Sequence, residues 1–122
     1  MVGGNLCLLS TMCGTPDQLD FRGKILFIED IDEAGYRVDR LIQQLRSAGS
    51  LTGVKGVVCG EFIGWERPQY VDYGIREILM DRLGELGVPV LGSVPIGHGA
   101  QNRSFVWGTS VTIGQDQLVW NE

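Results

Sequence analysis

Between residues 24 and 49 the chain reads "KILFIEDIDEAGYRVDRLIQQLRSAG", and a change of period inside that stretch decides the fold. Its first part is an unbroken apolar run, Ile25 to Ile28, entered from the turn-like "FRGK" and closed by the acids Glu29 and Asp30. A short apolar run without alternation suits a strand buried on both faces. The second part has helical spacing: Val38, Leu41, Ile42, Leu45 and Ala48 share one face, while Arg37, Asp39, Arg40, Gln43 and Arg46 take the other. Gly49 is a natural stop for that amphipathic helix, since a residue past a helix end commonly adopts a left-handed conformation that glycine enters without strain.

The same alternation continues outward. "KGVVCGEF" (55–62) reads as a second buried strand, "YVDYGIREILMDRLGELG" (70–87) as a second helix with Ile75, Ile78, Leu79 and Leu83 on one side, and "VPVLGSVPIG" (88–97) as a third strand. The glycine-punctuated tail "SFVWGTSVTIGQDQLVW" (104–120) supplies two or three more strands, with "GQDQ" as a hairpin turn. The opening "GGNLCLLSTMCGT" (3–15) is ambiguous, because Leu6, Leu9 and Met12 would line a short helix. Strands alternating with helices predict an α/β fold: a mixed sheet with flanking helices and a β-rich carboxyl-terminal tail.

The 122 residues suffice for one domain with its own core, taken as 1–122. Hydrophobic residues make up 43% of the chain, and no apolar run approaches the roughly 20 residues that span a bilayer. The start "MVGGNLCLLS" has neither a basic leader nor a small-residue cleavage site, so no membrane association and a cytoplasmic location are expected. Fifteen acidic against ten scattered basic residues, a formal charge of −5, disfavour a nucleic-acid partner, which needs concentrated positive charge. Cys7, Cys13 and Cys59 form no CxxC pair, and one histidine leaves no zinc set; the residues call for no metal and no cofactor.

The single histidine, His98, stands in "PIGHG" (95–99), between two glycines and just past the third expected strand. An imidazole takes and returns a proton near neutral pH when an acid orients it. Glu29 and Asp30 follow the first expected strand, and parallel strands bring their carboxyl ends to one sheet edge, so a carboxylate–imidazole contact is geometrically reasonable. A nucleophile is missing from that set. No GxSxG elbow is present, and Ser10, Ser47, Ser50, Ser93, Ser104 and Ser110 lie in other contexts, with Cys59 inside a buried strand. Plainer readings stand beside these: His98 as a turn residue, Glu29 and Asp30 as cap and first-turn acid of the next helix, "GGNL" as a weak phosphate nest, and Trp65, Tyr70 and Tyr73 as packing.

Taken together, "GGNLCLLSTMCGT", "GKILFIEDIDEAGYRVDRLIQQLRSAGSL", "GVVCGEF" and "VPIGHG…N" resemble the carboxyl-terminal half of the LD-carboxypeptidase family, whose relatives include the microcin C immunity peptidases. The likeness covers nearly the whole chain in order. It implies a swivelling β/β/α domain and a serine-type peptidase with a Ser-Glu-His triad spread over two domains. Glu29 matches the family's triad glutamate and His98 its histidine. The glycines beside His98 would let the loop approach substrate closely. The serine belongs to the family's amino-terminal domain, which this chain, starting at "GGNL", is expected to lack, so that alone it is expected to be inactive. The implied partners are that nucleophile domain, a peptide ending in a D-amino acid, as in murein recycling, and further copies in a homo-oligomer. In "SFVWG" the chain carries Phe105 and Val106 where relatives tend to have Leu-Pro, which puts local strand geometry and substrate choice in question. A peptidase of peptidyl-nucleotides, a non-catalytic module binding cell-wall peptides, and a folding or dimerisation fragment are the competing readings.

Overall fold

The computed structural model describes residues 1–65 and 74–121. Four strands, β1 (Val2–Asn5), β2 (Ile25–Ile31), β3 (Gly56–Ile63) and β4 (Val90–Leu91), form one parallel sheet in the order β1-β2-β3-β4. Helices α1 (Leu6–Thr11), α2 (Gly35–Ser47) and α3 (Ile75–Gly84) alternate with them, and β5 (Val111–Ile113) and β6 (Leu118–Trp120) form a separate antiparallel hairpin.

Strand order follows chain order, so every crossover advances the sheet in the same direction. Right-handed crossovers then place every helix on one face. Leu6 and Leu9 of α1, Val38, Ile42 and Leu45 of α2, and Leu79 and Leu83 of α3 share one core with Leu26, Ile28, Val57 and Cys59 of the sheet. The other face is left to the hairpin: Phe27 and Val58 pack there with Ile96 and Val111 in a second, smaller core. Both faces of β2 and β3 are therefore covered, and their unbroken apolar runs follow from that. The three layers run hairpin, parallel sheet, helices.

The ambiguous opening segment divides into a strand and a helix at Asn5, whose side chain caps α1 by accepting from the Leu8 amide at 3.0 Å. Of the "GGNL" stretch (3–6), residues 3–5 are part of β1 and Leu6 opens α1. The expected third strand, 88–97, pairs regularly only over Val90–Leu91, because Ser93 adopts a left-handed φ of 59° and throws the chain out of register. Contact with β3 resumes beyond it: Val94 N donates to Cys59 O at 3.0 Å and Glu61 N to Ile96 O at 3.1 Å. The tail forms two strands, and Gly114 N donates to Gln117 O at 2.8 Å across the expected "GQDQ" turn. Phe105 stands edge-on to Phe27 with ring centroids 5.4 Å apart and stacks on Trp120 at 5.9 Å, so it joins the hairpin to the sheet. Among the described residues, no helix is long and apolar enough to cross a membrane.

Candidate active site

Glu29 and Asp30 belong to β2 itself instead of lying past its end. They do not cap the following helix either: the N-cap of α2 is Ala34, with no side-chain hydrogen bond. Successive strand residues face opposite sides, and this divides the acidic pair. Asp30 turns towards α1, where Oδ1 accepts from Asn5 Nδ2 at 2.8 Å and Oδ2 from the Cys7 amide at 2.9 Å. Its oxygens are occupied in tying β1 and α1 to the sheet.

Glu29 turns to the hairpin side at a register shift between Ile28 and Asp30, where β3 contributes an extra residue. Such bulges re-aim a side chain at the rim of a sheet. There, His98 Nδ1 lies 2.7 Å from Glu29 Oε2. The carboxylate is nearly buried, with 7% of its side chain exposed, whereas half of the imidazole, 50%, is open. A carboxylate can only accept, so Nδ1 carries the proton and donates it, leaving Nε2 with a free lone pair. The pKa of His98 is raised above its ordinary value of 6.5, mainly by the hydrogen bond to Glu29, then by the charge of Glu29, with a smaller contribution from Asp30 and opposed by partial desolvation.

The turn that carries the imidazole is closed by two bonds. Arg103 N donates to Pro95 O at 2.8 Å, and Gly97 N to Asn102 Oδ1 at 3.2 Å. Two glycines let it sit low on the sheet. A Cβ on Gly60 would fall 2.3 Å from Ile96 O and 2.9 Å from the Phe27 ring, and one on Gly97, whose φ is 125°, would fall 2.9 Å from Glu29 Oε2. The glycine before His98 thus makes room for the protein's own carboxylate.

Among the described residues the imidazole has no serine partner. Ser10 and Ser50 are buried, and the Ser47 and Ser110 hydroxyls bond to Gln43 and Asn121. Burial pushes the Cys59 thiol up to about 12, far from a thiolate at neutral pH, and Cys7 is also raised, chiefly by desolvation. Trp65 is half-buried, while Tyr70 and Tyr73 lie outside the described residues. Asn5 and Asn102, which orient the acid neighbour and the turn, are not singled out by residue chemistry; the signal for Asn5 is its position immediately before an apolar helical run.

A buried acid orienting an exposed imidazole at the carboxyl edge of a parallel sheet is geometry suited to general-base chemistry, of the kind hydrolases use. The chain belongs to the family described as the LD-carboxypeptidase C-terminal domain, whose sequence model matches residues 1–113. It is 31% identical over 121 residues to the murein tetrapeptide carboxypeptidase of Pseudomonas aeruginosa, covering 98% of this chain and 39% of that protein. The crystal structure of muramoyltetrapeptide carboxypeptidase from Oxalobacter formigenes superposes with a TM-score of 0.84 at 32% identity, over 98% of this chain and 44% of that one. The microcin C7 self-immunity protein MccF matches with a TM-score of 0.63 at 27% identity, over 77% of this chain and 28% of that one. The chain therefore spans about a third to two fifths of the length of the carboxypeptidase relatives it matches.

Proposed function

We propose that this chain supplies the Glu29–His98 half of a serine-type LD-carboxypeptidase, which hydrolyses the amide between an L-configured centre and a terminal D-amino acid of a murein peptide. The 2.7 Å contact between His98 Nδ1 and a buried carboxylate carries the reading, because it leaves Nε2 exposed as the base. The nucleophilic serine comes from an amino-terminal portion of the kind that makes up the rest of the longer relatives. The serine oxygen attacks the scissile carbonyl as Nε2 takes its proton, and Glu29 stabilises the imidazolium. As the carbon–nitrogen bond breaks, the same proton passes from Nε2 to the departing amine. Water then attacks the acyl-serine as Nε2 takes one of its protons, and that proton passes to the serine oxygen as the acyl carbon–oxygen bond breaks, freeing the shortened peptide as its acid. The likeness to murein carboxypeptidases favours a peptide substrate over a peptidyl-nucleotide, since the Oxalobacter match covers more of the chain at a higher TM-score than MccF. A cytoplasmic location and a homo-oligomeric state belong to the same proposal.

The test is release of D-alanine from an L,D-tetrapeptide by this chain alone, and by this chain combined with the amino-terminal portion of the Pseudomonas relative. Activity is expected only in the combination, falling on the order of 10³-fold or more in His98→Ala and on the order of 10²–10⁴-fold in Glu29→Gln. Equal activity of wild type and His98→Ala in a demonstrated complex would overturn the assignment.

A further inference from the structure

The turn that carries His98 rests on a second carboxylate, which the mechanism above does not use. Glu61 follows Gly60 in β3, and its Oε2 is shielded from solvent with no hydrogen-bond partner among the described residues. It is lodged against the glycine after the histidine. A Cβ built on Gly99 would fall 1.4 Å from Glu61 Oε2 and 2.2 Å from its Cδ, so the carboxylate occupies the volume a side chain at position 99 requires. The backbone of the same residue holds the other limb of the turn, since Glu61 N donates to Ile96 O at 3.1 Å. One residue of β3 thus touches the turn on both sides of His98.

We propose that Glu61 is a positioning residue, a wedge beneath Gly99 that sets the height of the 97–99 turn above the sheet and with it the direction of His98 Nε2. Its consequence for catalysis rests on the reading of His98 as the base; its geometry does not. The wedge acts by shape. Its carboxylate fills the space beneath Gly99 and its amide holds Ile96, so Glu61 reaches His98 through the backbone it supports. Only a glycine at 99 lets the carboxylate lie there, and this gives the second glycine of "GHG" a physical reason distinct from that of the first.

Because the chain has one histidine, a single set of imidazole resonances reports the turn in a proton NMR titration. Glu61→Ala, which leaves the turn unsupported, and Gly99→Ala, whose methyl collides with the carboxylate, are each expected to weaken the Glu29 contact and lower the His98 midpoint. In the double variant the methyl added at position 99 fills the space vacated by the carboxylate, and the midpoint returns towards wild type. Glu61→Gln keeps the shape and leaves the midpoint in place. Failure of the double variant to recover what Gly99→Ala loses, an unmoved midpoint in both single variants, or a fall in Glu61→Gln as large as in Glu29→Gln would each overturn the wedge. The titration needs no nucleophile, so it stands or falls separately from D-alanine release. In the two-part enzyme, Gly99→Ala is expected to lower kcat on the order of 10²-fold with KM held, as for a misplaced base.

Discussion

At the level of single residues, Glu29 holds the Nδ1 proton of His98, and that contact makes folding sensitive to pH. A group whose pKa is higher in the folded than in the unfolded chain binds its proton more tightly when folded. The stabilisation is therefore fully present below the ordinary value of 6.5 and is lost as pH rises through the raised one. Urea unfolding midpoints are expected to decline across that window in wild type and to stay flatter in His98→Gln; parallel curves would show that the contact is not formed in solution. The roles of neighbouring acids were hard to separate from sequence alone. Glu29 and Asp30 look equivalent when written side by side, but strand alternation sends one to the imidazole and the other to Asn5 and the Cys7 amide. His98 and Glu29 stand 69 residues apart, and no local spacing predicts their contact. Family resemblance and the rule that parallel strands share a carboxyl edge together made the pair readable; the tasks of Gly97, Gly99 and Glu61 depend on atomic clearances that a sequence does not carry.

Individual elements were legible in proportion to their periodicity. Helix α2 follows its apolar stripe through Val38, Ile42 and Leu45, all buried, and ends beside Gly49, whose φ is 79°. Helix α3 buries Leu79 and Leu83 as its spacing implies, but it closes at Gly84, short of the expected Gly87, whose φ of 65° belongs to the turn beyond. The strand at 88–97 shortened for a reason invisible to pattern: a non-glycine residue, Ser93, in the left-handed region. Helix α1 has only six residues and depends on its anchor more than on its length. Asn5 both caps it, through the Leu8 amide, and donates to Asp30. Asn5→Ala is accordingly expected to cost about 1–2 kcal/mol in urea unfolding, and a loss within a few tenths would mean that neither bond matters in solution.

Over the whole molecule, a parallel sheet in chain order with right-handed crossovers commits its helices to one face, and the hairpin takes the other. The segment from β4 to the hairpin must then pass the carboxyl edge of β2 and β3, and His98 is on that passage. Topology thus delivers the imidazole to Glu29. Phe105 packs between Phe27 and Trp120 beside that passage. The proposed function makes this imidazole, held by this carboxylate, the base of a peptidase completed by another segment of protein. The pH dependence of kcat/KM for D-alanine release by the two-part enzyme tests it most directly, compared with the NMR titration of His98. A base must be unprotonated to act, so kcat/KM is expected to rise with pH along a limb whose midpoint equals that of His98 and moves down with it in Glu29→Gln. A rising limb that ignores the Glu29 substitution, or that keeps its midpoint while that of His98 shifts, would remove His98 from the role of base.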